Sequence, residues 1–394
     1  MNQAKKPRLL ECVRPVGTWN PNRSPDDEEF NYIDIGAIDQ AQKTVSDIRT
    51  IRCADAPSRA RQLVAAGDIL VSTVRPNLNA VAKLGVEHDG ATASTGFCVI
   101  RPDPAKLDGA YAFQWVKSPG FVTEMVALAT GASYPAVSDR IVLGSCLPLP
   151  PLTEQRRIAT ILDQADTLRA QRGQALEELG RLVQALFVEM FGTLEAPILG
   201  ANVAALEDIV APGRIVTYGI VQAGPHVQDG VPYIKTGDIK DGRILVHQLA
   251  RTSPAIAKDY SRSALRAGDI VMSIRATVGT TAMVAESLSG ANLTQGTARI
   301  SPGPGVDGIY LLNYLRTKSA QDWIQSQVKG ATFREITLGR LRQMPVLLPN
   351  LDRQRAFARS IQAIESVVAN HRAALSESDA LFASLQHRAF AGAL

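Results

Sequence analysis

"TGASYPAVSDRIVLGSCLPLPPLTEQRRIATIL", Thr130 to Leu162, crowds three prolines in front of a helical pattern, and the chain writes it again as "KGATFREITLGRLRQMPVLLPNLDRQRAFARSI", Lys329 to Ile361. Pro148, Pro150 and Pro151 cannot continue a strand ladder or occupy a helix interior, but a first helical turn tolerates proline. Thr153 in the first copy, or Asp352 in the second, can then cap the first amides. The proline cluster therefore marks the border between a globular part and a long helix.

Working outward, the repetition extends over the whole chain. "AAGDILVSTVRP" from Ala65 matches "RAGDIVMSIRAT" from Arg266, and "YIDIGAID" from Tyr32 matches "YIKTGDIK" from Tyr233. Landmarks recurring in one order at nearly one offset are the signature of an internal repeat. Each copy opens with a Gly/Pro-punctuated portion rich in short β-branched runs, with brief helical patterns at "YAFQWVKSPGFVTEMVALA" and "IYLLNYLRTKSAQDWIQSQV". That mixture predicts an α+β globule with few long strands.

Each copy closes without proline and with a different period. Ile158, Leu162, Ala165, Leu176, Leu179, Val183, Leu186 and Met190 recur at steps of three and four, with Arg169 and Arg172 filling the gap. Phe357, Ile361, Ile364, Val368, His371, Leu375, Ser378, Phe382 and Leu385 repeat the pattern in phase. A heptad this sustained predicts a coiled-coil seam on helices of roughly 55 to 60 Å. Antiparallel pairing of the two helices, with a globule at each end, is the simplest closure; pairing between chains also satisfies the heptads. The polar seam residues Arg169, Arg172, His371 and Ser378 either fix register and direction or lie on a solvated part of the seam.

The predicted organisation is thus α+β, two pseudo-repeated globules separated by an antiparallel two-helix coiled coil. Residues 1–150 and 193–348 form the globules, 151–192 the central helix and 349–394 its partner helix.

The 394 residues are 45% apolar and 20% charged, the balance of a folded soluble chain, too long for one ordinary core. No run approaches a membrane span, and "MNQAKKPRLLECVRP" has no apolar segment of a secretion signal, so the cytoplasm is expected. Cys12, Cys53, Cys98 and Cys146 stand singly, predicting core thiols rather than disulfides or a zinc site. A net charge of +4, with 31 arginines among 42 basic residues, favours no partner class by itself. The chain lacks the Asn/Asp-Pro-Pro-Tyr/Phe loop of adenine methyltransferases, the phosphate-binding G-x-x-x-x-G-K-[ST] and a nucleophile elbow. The acidic run Asp26 to Glu29 reads as a solvated loop. What remains is a binding scaffold with no catalytic residue, no metal site and no cofactor of its own.

Two variable globules, each ending in "LPLPPLTEQRRIATIL" or "MPVLLPNLDRQRAFARSI" and followed by a long helix, resemble the specificity subunit of type I restriction-modification systems; "PLPPLTEQRRIA" is the most specific element. The resemblance implies that each globule reads one half of a bipartite, asymmetric DNA site through the major groove, and that the helices set the unread spacer. It further implies two modification subunits that bring S-adenosylmethionine, and restriction subunits that bring ATP, Mg and translocation. Partner contacts are expected at the helix starts, at Pro151, Glu154, Gln155, Arg156, Gln354 and Arg355. The second copy departs from the pattern at Asn350 and at Asp352-Arg353.

DNA contacts are expected where the copies differ. Arg75 and Arg275 each lie just past a strand end, where a guanidinium takes guanine O6 and N7, and Asn77 can do the same for adenine. Lys43, Lys235, Thr236 and Lys240 follow the "YIDIG/YIKTG" element, while Ser133, Tyr134, Thr332 and Arg334 occupy the loop before the final strand. For all of these, a phosphate contact or a purely structural role stays open.

Overall fold

A computed structural model describes residues 6–198, 201–330 and 334–394. The residues pack as two units: one holds the chain up to Gly173 together with Ala373–Leu394, the other holds Gln174–Arg372. The helices Leu152–Phe191 and Leu351–Ala391 are each unbroken, and each is divided between the two units rather than forming a separate piece.

In the first unit, Ile69–Ser72 is the fully buried centre of an antiparallel sheet, flanked by Phe97–Pro102 and Val81–Lys83, with Val13–Arg14 outermost. Four apolar or small residues in a row suit a strand covered on both faces. A second sheet orders Arg49–Arg52, Glu29–Ile33, Thr92–Ser94 and Ala60–Leu63, and its inner pair runs parallel. The second unit repeats the first sheet with Thr217–Tyr218, Thr297–Ile300, Ile270–Ser273 and Thr281–Met283. It repeats the other with Ala250–Thr252, Val231–Ile234 and Asn292–Leu293, again with one parallel pair.

Each helical pattern of the sequence resolves into two helices. Gly109–Val116 ends at Lys117, and Ser118 caps Pro119–Leu128 by accepting from the Phe121 amide. Thr317 does the same for Lys318–Gln327 after Gly308–Leu315. A hydroxyl cap followed by a new helix start is what breaks the run.

Segments of the long helices run antiparallel within each unit. In the first, Arg157 donates to the carbonyl of Leu394, and Arg169 bridges Asp166 at 2.9 Å and Asp379 at 2.6 Å while lying 4.5 Å over the Phe382 ring. In the second, Arg353 donates to the Met190 carbonyl, and Phe357 meets Phe187 edge-on at 5.4 Å. Arginine at the end of one helix thus satisfies a terminal carbonyl of the antiparallel neighbour. Arg169 fixes register through named carboxylates, and Ser378 instead back-bonds to the Ala374 carbonyl of its own helix.

Three expectations are corrected here. The helix starts are capped two residues earlier than Thr153 and Asp352: Pro151 supplies the accepting carbonyl in the first copy, and the Asn350 side chain accepts from Arg353 in the second. The heptad places Leu186 and Met190 inward, and both pack half-buried against the core, but Phe187 and Phe191 are the fully buried residues, because the last turns of this helix meet Tyr310 of the globule as well as Phe357 of the facing helix. Cys12, Cys53 and Cys98 are buried, whereas Cys146 is exposed.

Candidate nucleic-acid interface

Both units carry the same edge. After the central strand of the first unit, Thr73 donates its amide to Gly96 and Arg75 donates its amide to Pro135. Thr130 and Ala136 exchange two backbone hydrogen bonds, closing a finger whose tip is Gly131 to Pro135. Gly131 has φ +100°, and a Cβ there would meet the Tyr134 carbonyl at 2.8 Å, so only glycine closes this tip. The second unit repeats the edge: Ile274 donates to Gly296, Ala276 donates to Arg334, and Lys329 exchanges two bonds with Glu335.

The first edge gathers four of the expected residues. Arg75 has φ 51° and ψ 61°, a left-handed conformation costing about 1–2 kcal/mol for a residue with a Cβ. Its guanidinium lies 4.9 Å over the Tyr134 ring, and that ring is 69% exposed. Asn77, on the short turn Pro76–Leu78, and Ser133, on the finger tip, are exposed as well. Such a stacked arginine keeps its donors directed outward while the ring restrains it. Lys43 is different. Its ammonium donates to the Asn79 carbonyl at 2.6 Å, and burial, then the neighbouring Lys117, hold its pKa below the ordinary lysine value. The structure therefore uses Lys43 to anchor the Pro76–Leu78 turn from behind.

The second edge is built from different side chains. Arg275 is the register equivalent of Val74, not of Arg75: the bridge Arg275 to Glu335 corresponds to the bridge Val74 to Ala136. The residue matching Arg75 is Ala276, which has φ 57°. Pairing Arg75 with Arg275 is thus off by one, and one residue along an extended chain changes the face on which a side chain emerges. Arg275 donates through Nε to Glu335 Oε2 at 2.9 Å, and both side chains are about 45% exposed. Glu335 went unnoticed in the sequence; the alignment opposite Ala136 was its only signal. Thr236 joins this patch, since a Cβ on Gly296 would lie 3.0 Å from Thr236 and 4.0 Å from Arg275 Cβ. Arg334 is exposed and donates to Gln325 at 2.6 Å. Lys235 and Lys240 are exposed on the preceding turn and hairpin, and Thr332 lies outside the described residues.

The helix-start residues divide into two kinds. Gln155 is fully buried: its carbonyl accepts from the Asp108 amide at 2.8 Å and its amide donates to Lys106 and Pro150. Gln354 repeats this with Asp307, Gly305 and Pro349. Partner contact through these two glutamines is therefore corrected: each spends its polar groups pinning a long helix to its own globule. Pro151, Arg156 and Arg355 are exposed. Glu154 is forked by Arg157, whose guanidinium holds the carboxyl below the usual carboxylate range.

Among the described residues no His/Cys/Asp/Glu group could hold a metal ion, and no helix is long and apolar enough to cross a membrane.

Known proteins share this architecture. Residues 222–377 match the type I restriction modification DNA specificity domain. The chain is 27% identical over 304 residues to the EcoBI specificity subunit of Escherichia coli, covering 70% of this chain and 64% of that subunit, just under two thirds of its length. It is 26% identical over 382 residues to the putative MjaX specificity subunit of Methanocaldococcus jannaschii, covering 91% and 85%. A solved chain described under complex assembly and conformational transition of the type I R-M system superposes with TM-score 0.61 at 25% identity, covering 100% of this chain and 99% of that one. The type I S subunit of M. genitalium, at TM-score 0.57 and 14% identity over 99% and 97% of the two chains, shares the fold. With its doubled globule, its long helix pair and a specificity domain matched over residues 222–377, the chain is similar to the specificity subunits of type I restriction-modification systems.

Proposed function

We propose that each unit reads one half of a bipartite, asymmetric DNA site, that the two long helices set the unread spacer, and that the chain performs no chemistry itself. It recruits adenine-N6 methyltransferase subunits carrying S-adenosylmethionine, and restriction/translocase subunits using ATP and Mg, through exposed residues at the helix starts such as Pro151, Arg156 and Arg355. One observation carries this reading: the same backbone edge is built twice and fitted with different side chains, Arg75 over Tyr134 in one unit and Arg275 beside Glu335 in the other. Conserved backbone with divergent outward groups is how a scaffold reads two different sequences, because base edges are told apart by the pattern of donors and acceptors presented to them.

The test is adenine methylation mapped genome-wide in cells producing this chain with its methyltransferase partners. A single bipartite motif is expected; methylation without a motif would sink the reading. Removing one heptad from each long helix should shorten the spacer and leave both half-sites unchanged. A change in the half-sites instead would refute the helices as spacer.

A further inference from the structure

The second unit's edge holds a carboxylate where a phosphate clamp would have none. Glu335 Oε2 accepts from Arg275 Nε at 2.9 Å, so the pair is neutral overall and gains little from a nearby phosphate. Among the described residues, Nη1 and Nη2 of Arg275 and Oε1 of Glu335 take no other hydrogen bond, and both side chains are nearly half exposed. The backbone keeps them in step, since Arg275 and Glu335 are bridge partners in adjacent extended segments. The pair therefore presents two donors from one planar group and, beside them, one acceptor.

That pattern selects among base pairs. In the major groove a G·C pair displays two acceptors on guanine, N7 and O6, followed by the N4 donor of cytosine, whereas an A·T pair displays acceptor, donor, acceptor and a methyl group. Two donors followed by an acceptor complement G·C and leave A·T with a donor facing a donor and an acceptor facing an acceptor. We infer that Arg275 and Glu335 together read one G·C base pair in the half-site of the second unit, the guanidinium on guanine and the carboxylate on cytosine N4, with Glu335 also positioning Arg275. This rests on the proposal that the unit reads DNA. It goes further by naming the base pair, the base that each side chain contacts and a determinant that is acidic.

The experiment selects randomised duplex DNA on the full chain, co-purified with the methyltransferase subunits it is proposed to recruit, then measures affinity for the selected duplex and its single-base-pair variants. The wild type should require G·C at one position of one half-site. Glu335→Ala should lower the preference for G·C over A·T at that position by about 5- to 150-fold, the range of one good paired contact, and leave the other half-site unchanged. Glu335→Gln, which keeps an acceptor for Arg275 Nε, should fall between, and Arg275→Ala should abolish the preference. Thermal melting of each variant, expected at the wild-type value for a surface pair, separates readout from folding. The inference is overturned if Glu335→Ala leaves that preference intact, or if it weakens binding to all duplexes equally. A wild-type complex that selects no motif at all would instead remove the DNA-reading proposal beneath it.

Discussion

Arg75 in the first unit and Arg275 in the second emerge from the same strand end, one residue apart in register, and are held by opposite means. Arg75 is restrained by a strained backbone and a tyrosine ring, with no carboxylate bonded to it among the described residues; Arg275 is restrained by a carboxylate on the facing segment. The Arg75 guanidinium keeps its charge, whereas that of Arg275 is neutralised by Glu335, with Arg334 still a cation beside it. The interiors differ in a parallel way. In the second unit Phe187, Phe191, Phe357, Tyr310 and Tyr314 form one aromatic cluster, whereas the helix position matching Phe187 is Gln386 in the first, buried and donating to the Gln114 carbonyl. One backbone plan thus tolerates exchange of apolar for polar, and of free for paired charge; the buried Gln386 amide is accommodated by donating to the Gln114 carbonyl.

The largest effect is expected where the interiors diverge. Phe187 is 2% exposed and touches Phe191, Tyr310 and Phe357 at ring separations of 5.0 to 5.4 Å. Phe187→Ala should cost about 3–5 kcal/mol through lost burial and a cavity. Gln386→Ala should cost about 1–2 kcal/mol, the value of one buried hydrogen bond. Urea unfolding gives both numbers, and hydrogen exchange should place the first loss within Gln174–Arg372. Equal costs would show that the aromatic cluster does not set the units apart.

How far these features were legible follows from their range. The repeat, the proline-marked helix starts and the two long heptad helices are written in local periodicity, which survives without knowledge of contacts; their antiparallel pairing is not, since pairing between chains satisfies the same heptads. The burial of Phe187 and Phe191 is not, because a heptad assumes that the partner is a helix alone, and the final turns face Tyr310 on a globule as well as Phe357 on the facing helix. Gln155 and Gln354 read as partner contacts shared by both helix starts. They are shared because each satisfies three backbone groups of its own unit, and that is visible only when the partners are in place. At the edges the residue types were readable, but the one-residue offset between Arg75 and Arg275 depends on cross-strand bridges that no linear pattern records.

A smaller effect should separate the edges themselves. Arg75→Ala should reduce discrimination at one base pair of the first unit's half-site by about 1–3 kcal/mol, with the second half-site untouched. Tyr134→Ala, which leaves the guanidinium but removes its platform, should cost about 0.5–1 kcal/mol at that same position, the worth of an exposed cation–π contact. Competition binding against duplexes changed at single positions resolves the two. If Arg75→Ala weakens every duplex alike and flattens the salt dependence by about one ion, Arg75 contacts phosphate, and the two edges differ in role rather than in the base that they read.

The smallest effect isolates backbone from side chain. Ala276 matches Arg75 in register and shares its left-handed backbone, at φ 57° against 51°, but has no group with which to read a base. Glycine relieves about 1–2 kcal/mol of strain at such a site and returns about 0.4–1 kcal/mol through the freer unfolded chain. Ala276→Gly should therefore stabilise the protein by about 0.5 kcal/mol in urea unfolding, with half-site preferences unchanged. Arg75→Gly relieves the same strain but gives up the stacking on Tyr134, worth about 0.5–1 kcal/mol, so its stability should stay near the wild-type value while discrimination in its half-site falls as it does for Arg75→Ala. Lost selectivity without lost stability at position 75, and a stability gain without lost selectivity at 276, would establish that the strain is kept at the first edge to aim an arginine. At the second edge the same strain would be a property of the repeated backbone, retained where Arg275 and Glu335 have taken over the reading.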